Sequence, residues 1–318
     1  MLNFEDKINF TNKKNDVLAI GELLVDMIST DYGDNFESNQ YSRFFGGSPS
    51  NIAINTRRLG INSTAVAAVG KDGLGDFLIN YLTEVQLDPS FIQQVNHATS
   101  MVLITKSKDT PVPIFYRGAD YYLDYSEQLA RLIQDSKILH FSSWPISRNP
   151  ARHTIEKCIK VAKQNGLLIC FDPNYHPKLF SRQEDGPAYV KSIIQHVDII
   201  KPSEDDAERL FGQDKHENQV RKFLDLGAKL VIMTLGKEGA LVSNGRETVK
   251  FSSYASNVVD ATGAGDAFWS GFYAALIKGY LLKEALEFGH AVSAYKLKAV
   301  GGVVDLPKLE AIKEIYKL

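Results

Sequence analysis

The stretch Val258-Val259-Asp260-Ala261-Thr262-Gly263-Ala264-Gly265-Asp266-Ala267-Phe268 joins features that suit phosphate chemistry. An apolar strand end runs into small residues, then an acid, then a helical pattern in which Phe268, Phe272, Ala275 and Leu276 share one face. Small residues at a helix start let a ligand approach the backbone closely. The free amides there, with the helix dipole, favour negative charge. Asp266 falls in the first turn, where a carboxylate opposes bound phosphate unless it has a task, such as accepting a proton from an attacking hydroxyl. Taken alone, the stretch also has plain uses: Asp suits the dipole, and Gly-Ala-Gly makes a tight turn.

These residues need a scaffold, and the chain supplies alternating strand and helix patterns. Short apolar runs at Asp16–Gly21, Ser63–Val69, Lys137–Phe141, Leu167–Asp172, Asp198–Lys201 and Lys229–Thr234 predict strands. Helical patterns lie between them, among them Arg152–Gln164, Pro187–Gln195 and Asp205–Phe211. A further helix has Ser48 as its expected N-cap, Pro49 at its first position and Gly60 past its end. Strands without alternation point to a mostly parallel sheet covered on both faces. Two regions break the rhythm. Ser29–Phe45 is turn-rich, and Met101–Lys106 and Pro113–Arg117 flank a Lys-Asp-Thr-Pro turn. They predict a small antiparallel sheet able to close over a site.

The 318 residues, 44% hydrophobic and 23% charged, allow a large core and a single domain over 1–318, with the small sheet from about 27–45 and 98–120 inserted in it. A net charge of −2 argues against nucleic acid as a partner. Cys158 and Cys170 fall in apolar patterns and read as buried thiols. The first residues carry no secretory pattern, and no apolar run spans a bilayer, so the expectation is a cytoplasmic protein with no membrane partner.

Ligands of open α/β sheets bind beyond the carboxyl ends of the strands. Asp26, just past the first strand, could accept from two hydroxyls of a polyol. Gly46-Gly47-Ser48-Pro49-Ser50-Asn51 brings amides and a side-chain amide to a helix start. Singly, Asp26 also reads as a turn residue, Ser48 as a cap and Asn51 as surface. The P-loop and dinucleotide glycine motifs are absent, as is any His/Cys ligand cluster.

Together, Gly46-Gly47-Ser48-Pro49-Ser50-Asn51-Ile52-Ala53 with Leu59-Gly60, and Asp260-Ala261-Thr262-Gly263-Ala264-Gly265-Asp266, resemble the two signatures of the PfkB, or ribokinase-like, carbohydrate kinases. The resemblance covers nearly the whole chain. It implies a three-layer α/β/α sandwich with a β-sheet lid, and ATP with Mg²⁺ as the phosphoryl source. It implies Asp266 as catalytic base and an anion hole at Gly263 and the amides of Ala264, Gly265 and Asp266. Asp26, Gly46, Gly47, Asn51, Arg117 and Asn174 match sugar-binding positions. Lys201, Ser203, Thr234, Gly236, Gly239 and His290 match the nucleotide side. Asp260 and Thr262 stand where some members bind a monovalent cation such as K⁺. A homodimer through the lids also fits the family.

Two segments depart from the family pattern. Ser203 and Asp206 replace the usual Asn and Glu near the metal, leaving Asp206 to hold Mg²⁺ through water. His176 stands where Arg is common, so a permanent cation is lost there. Gly21-Glu22, Phe115-Tyr116-Arg117 with Asp120, and Phe171-Asp172-Pro173-Asn174 resemble the fructokinase and 2-keto-3-deoxygluconate kinase branch. An acidic sugar calls for a cationic clamp. Arg117 offers one arm, or simply pairs with Asp120, and His176 weakens the other. The expected substrate is therefore D-fructose, with 2-keto-3-deoxygluconate as the alternative. A sugar and nucleotide sensor without catalysis is the reading from another class; the Gly-rich turn with Asp266 argues against it.

Overall fold

The computed structural model describes residues 2–33, 36–106 and 113–318. The expected Lys-Asp-Thr-Pro turn lies outside the described residues. The strands are β1 (Asn15–Ile20), β2 (Leu24–Tyr32), β3 (Tyr41–Gly46), β4 (Ser63–Gly70), β5 (Ile92–Val95), β6 (Met101–Lys106), β7 (Ile114–Tyr116), β8 (Ser136–Ser142), β9 (Leu168–Asp172), β10 (Ile199–Ile200), β11 (Leu230–Thr234), β12 (Ala240–Ser243) and β13 (Thr248–Phe251).

A nine-stranded sheet runs β13-β12-β11-β10-β9-β8-β1-β4-β5. Every pairing from β11 through β10, β9, β8, β1 and β4 to β5 is parallel. The hairpin strands β12 and β13 add an antiparallel edge. Helices cover both faces, giving the ribokinase-like three-layer architecture expected from the sequence. β1 is buried throughout and its parallel neighbours β4 and β8 at every position but one each, which is why they read as nearly unbroken apolar runs.

The order reverses beside β1, because the chain moves to β4 on one side and later to β8 on the other. That is where open α/β sheets leave a crevice.

A separate four-stranded sheet runs β3-β2-β6-β7. It is mixed, not antiparallel as expected: β2 pairs with β3 and β6 with β7 antiparallel, but β2 and β6 are parallel. β2 and β6 belong to distant segments, so no hairpin sets their direction. β5 and the β12–β13 hairpin were not among the strands expected.

Helix Ala264–Ile277 is buried all round, not along one face, from Asp266 to Leu276. It packs against helices Leu282–Lys296 and Ser48–Arg58. Trp269, Phe272 and Tyr273 are fully buried in it, each contributing about 1.5–3 kcal/mol of burial. This anchoring holds its first turn still. Cys158 and Cys170 are free and buried. Among the described residues no helix is long and apolar enough to cross a membrane.

Candidate active site

The carboxyl ends of β1, β8, β9 and β10 deliver Glu22, Ser142, Asp172 and Lys201 to one edge of the large sheet. Above them opens a cleft of about 300 Å³, lined among others by Glu22, Asp26, Asn51, Asn174, His176 and Asp266. Val102 and Phe115 of the small sheet also line it.

Asp266 is 7% exposed. Its Oδ1 accepts from Ser48 Oγ at 2.6 Å, and its Oδ2 accepts from Asn51 Nδ2 at 2.9 Å. The two glycine motifs, over two hundred residues apart in sequence, thus meet at one carboxylate. Ser48 corrects the sequence reading. Gly47 is the N-cap, at φ 111°, and Ser48 opens the helix with its hydroxyl turned to Asp266. Gly47 is also steric, because a Cβ there would overlap the Glu22 carbonyl. A Cβ at Gly46 would strike the Asp26 carboxylate. Asn51 Oδ1 is buried with no protein donor.

Three carboxyls share the cleft, and each holds its proton more tightly than usual. Burial raises Asp266 to about 6, with Asp172 adding and the Ser48 and Asn51 hydrogen bonds opposing. Burial and the Asp266 charge raise Asp26 to about 7. Glu22 rises to about 8 through burial, although the Ser48 amide and Ser142 hydroxyl both donate to it. Glu22 was overlooked as a site residue; its position two residues past β1 was the available signal.

A carboxyl raised in the folded state stabilises the fold when protonated. That contribution is complete below about pH 4 and is lost as pH climbs through about 6 to 8. The unliganded protein should therefore melt lower at pH 8 than at pH 5.5. Asp26→Asn should raise the pH 8 melting midpoint by roughly 2–4 °C and flatten the pH dependence. Calorimetry at the two pH values checks this, and an unchanged slope would contradict it.

The other end of the site is positive. Gly263 caps helix Ala264–Ile277 in the left-handed region, at φ 72°. A Cβ on it would lie 2.7 Å from Gly302 Cα. The amide of Ala264 is not free as expected, because the tight turn gives it to the Ala261 carbonyl at 3.1 Å. Among the described residues the amides of Gly265 and Asp266 have no protein acceptor. Lys201 Nζ would stand 3.2 Å from a Cβ on Gly265, and it pairs with Asp172 at 2.9 Å. Asp172 also accepts from Trp269 Nε1. A buried ammonium and two free amides thus face one space at the helix start.

Toward β11, the Thr234 amide donates to the Pro202 carbonyl at 2.9 Å. Gly236 (φ 52°) opens the following turn. Gly239 (φ 96°) lies against the Phe251 carbonyl. His290 is buried beside Phe251 and Phe268, and burial lowers it to about 4, so it is neutral.

Three further groups of expected site residues are bonded within the protein. Arg117 gives both Nε and Nη2 to Asp120 and Nη1 to Ser147 Oγ, so its donors are spent on structure. Ser203 and Asp206 form a reciprocal cap on helix Glu204–Phe211, and Asp206 also accepts from the Tyr175 amide. The Asp206 carboxylate is thus engaged by the cap and the Tyr175 amide, and among the described residues no group of three or more His, Cys, Asp or Glu is placed to hold a metal directly; the expected role through water does not depend on such a group. Asp260 bonds the amides of Thr262 and Gly301 through its carboxylate.

The chain is 62% identical, over all of its length and 99% of the relative's, to an ATP-dependent 6-phosphofructokinase of Thermoanaerobacterium thermosaccharolyticum. The structure of Halothermothrix orenii fructokinase is 41% identical and superposes with a TM-score of 0.78 over 86% of this chain and 97% of that one. An Escherichia coli protein described as a ribokinase II, solved with ATP and Mg²⁺, is 25% identical with a TM-score of 0.81 over 95% and 99%. Residues 14–309 match the pfkB family carbohydrate kinase model. A buried acid joining both glycine motifs, beside a helix start backed by a lysine, is thus set in a matching sequence frame, and the chain belongs to the pfkB family of carbohydrate kinases.

Proposed function

We propose that this sugar kinase moves the γ-phosphoryl group of ATP to the primary hydroxyl of a fructose unit, with fructose 6-phosphate as acceptor. The observation that carries the acceptor is the 62% identity, end to end, with a 6-phosphofructokinase. The cleft offers a matching anchor. His176 and Arg209 line it together with Asp266. Arg209 Nη1 donates to the Tyr175 carbonyl, while Nη2 has only a loose 3.6 Å contact with Asp205. A guanidinium in that state can take a phosphate. The second reading is D-fructose, favoured by the 41% identical fructokinase. A 2-keto-3-deoxygluconate would want the clamp that Arg117, held by Asp120, does not offer.

On this reading Asp266 orients the attacking hydroxyl and takes its proton as the new P–O bond forms. The hydroxyl proton becomes acidic only late in a loose transition state, so a carboxylate near 6 is a sufficient base. Asp26 and the side chain of Asn51 bind sugar hydroxyls. The amides of Gly265 and Asp266, with Lys201, stabilise the transferring oxygens. Bound Mg²⁺ would supply charge neutralisation on the nucleotide, with Asp206 the carboxylate that would hold it through water. Val102 and Phe115 would exclude water as the small sheet closes.

An assay of ADP release with fructose 6-phosphate and with D-fructose tests the acceptor. Fructose 6-phosphate should show at least tenfold higher kcat/KM. Arg209→Ala should raise KM for fructose 6-phosphate about tenfold and leave D-fructose within about twofold, the size expected for losing one charged hydrogen bond. Preference for D-fructose, or an equal effect on both sugars, would reverse the assignment.

A further inference from the structure

Lys296 is fully buried at the last position of helix Leu282–Lys296. Buried lysines are rare and need a reason. Its Nζ donates to the Asp260 main-chain carbonyl at 2.8 Å and lies 3.8 Å from Asp260 Oδ2. This carbonyl and carboxylate are among the oxygens that a monovalent cation at Asp260 and Thr262 would use. A tethered ammonium already holds them, so that donor set does not fit a free ion.

The surroundings tie this charge to the turn. The Asp260 carboxylate takes the amides of Thr262 at 2.9 Å and Gly301 at 2.8 Å. The Val259 amide donates to the Leu297 carbonyl just past the helix. A Cβ on Gly263 would meet Gly302 Cα at 2.7 Å, and a Cβ on Gly302 would meet, at 2.6 Å, the Asn51 side-chain nitrogen that holds Asp266. Lys296 therefore sits under a continuous path from Asp260 through the glycine turn to Asp266. Burial pulls its ammonium below the usual lysine range, with Asp260 and then Asp266 opposing that shift.

We infer that Lys296 is a built-in cation that holds the 260–266 turn in its phosphate-receiving shape, so that this kinase needs no potassium ion. It is a positioning residue, and its role rests on the proposed use of the turn as the phosphate cradle.

The test uses the full chain at constant ionic strength, in KCl, NH₄Cl and choline chloride. Wild-type turnover and melting midpoint should agree within twofold and about 1 °C across the three salts. Lys296→Ala should lose at least thirtyfold in kcat in choline chloride and recover at least tenfold in KCl or NH₄Cl. Its melting midpoint should rise in the same two salts. The thermal shift reads cation binding whether or not the turn binds phosphate, so failure of the cradle reading stays distinguishable: stabilisation by the ions with no recovery of turnover overturns the positioning role alone. Several-fold activation of the wild type by KCl overturns the inference outright, even if the variant does not fold. So does a folded Lys296→Ala that no ion stabilises.

Discussion

Asp266→Asn should abolish nearly all turnover, a loss of 10²–10⁴ in kcat, with KM for the sugar within about threefold. The reason lies in what the substitution keeps. Ser48 Oγ can still donate to the amide oxygen, and Asn51 can turn its side-chain amide so that the unpartnered Oδ1 accepts from the new NH₂ group. The constellation survives without the base. Stability should hold or improve at pH 8, since the variant no longer ionises a carboxyl that burial pushes up to about 6. Steady-state kinetics with a melting curve separate loss of chemistry from loss of fold. Wild-type kcat/KM should also fall on the acid side with an apparent midpoint near 6, belonging to the carboxyl group of three as a whole. Turnover within tenfold of wild type in the variant would remove Asp266 from the chemistry.

What the sequence made legible was local. Lys229–Thr234 and Met101–Lys106 are bounded apolar runs, and the observed strands agree to within a residue. The glycine turn before Asp266 was readable because only glycine tolerates the φ of 72° and the contact with Gly302. What stayed hidden depends on distant partners. Ser48 followed by Pro49 has the pattern of a cap, and only a carboxylate from the far end of the chain redirects its hydroxyl. Arg117 was visible as a cation near the site, yet its orientation is set by Asp120 and Ser147. Ser203 and Asp206 have capping-box spacing, and the family resemblance drew attention to metal instead. Lys296 looks like any lysine at a helix end; its complete burial comes from the 259–263 and 297–302 segments folding over it.

Lys201→Met should combine the two kinds of damage, and a second substitution can pull them apart. Lys201 and Asp172 form an ion pair at 2.9 Å, with side chains only 5% and 6% exposed. Removing the ammonium leaves Asp172 charged and buried with Trp269 Nε1 as its remaining donor, a cost of about 3–5 kcal/mol. It also strips the positive group beside the Gly265 amide, where the transferring oxygens are proposed to lie. Loss of one preorganised donor of this kind costs about 10²–10³ in turnover. The double variant Asp172→Asn/Lys201→Met removes the stranded charge and keeps an acceptor for Trp269. Its melting midpoint should return most of the way to wild type, while kcat stays down at least a hundredfold. If Lys201 only braces the fold, kcat will return together with the melting midpoint. Recovery of turnover in the double variant would therefore take Lys201 out of the phosphate site and leave it as a structural partner of Asp172.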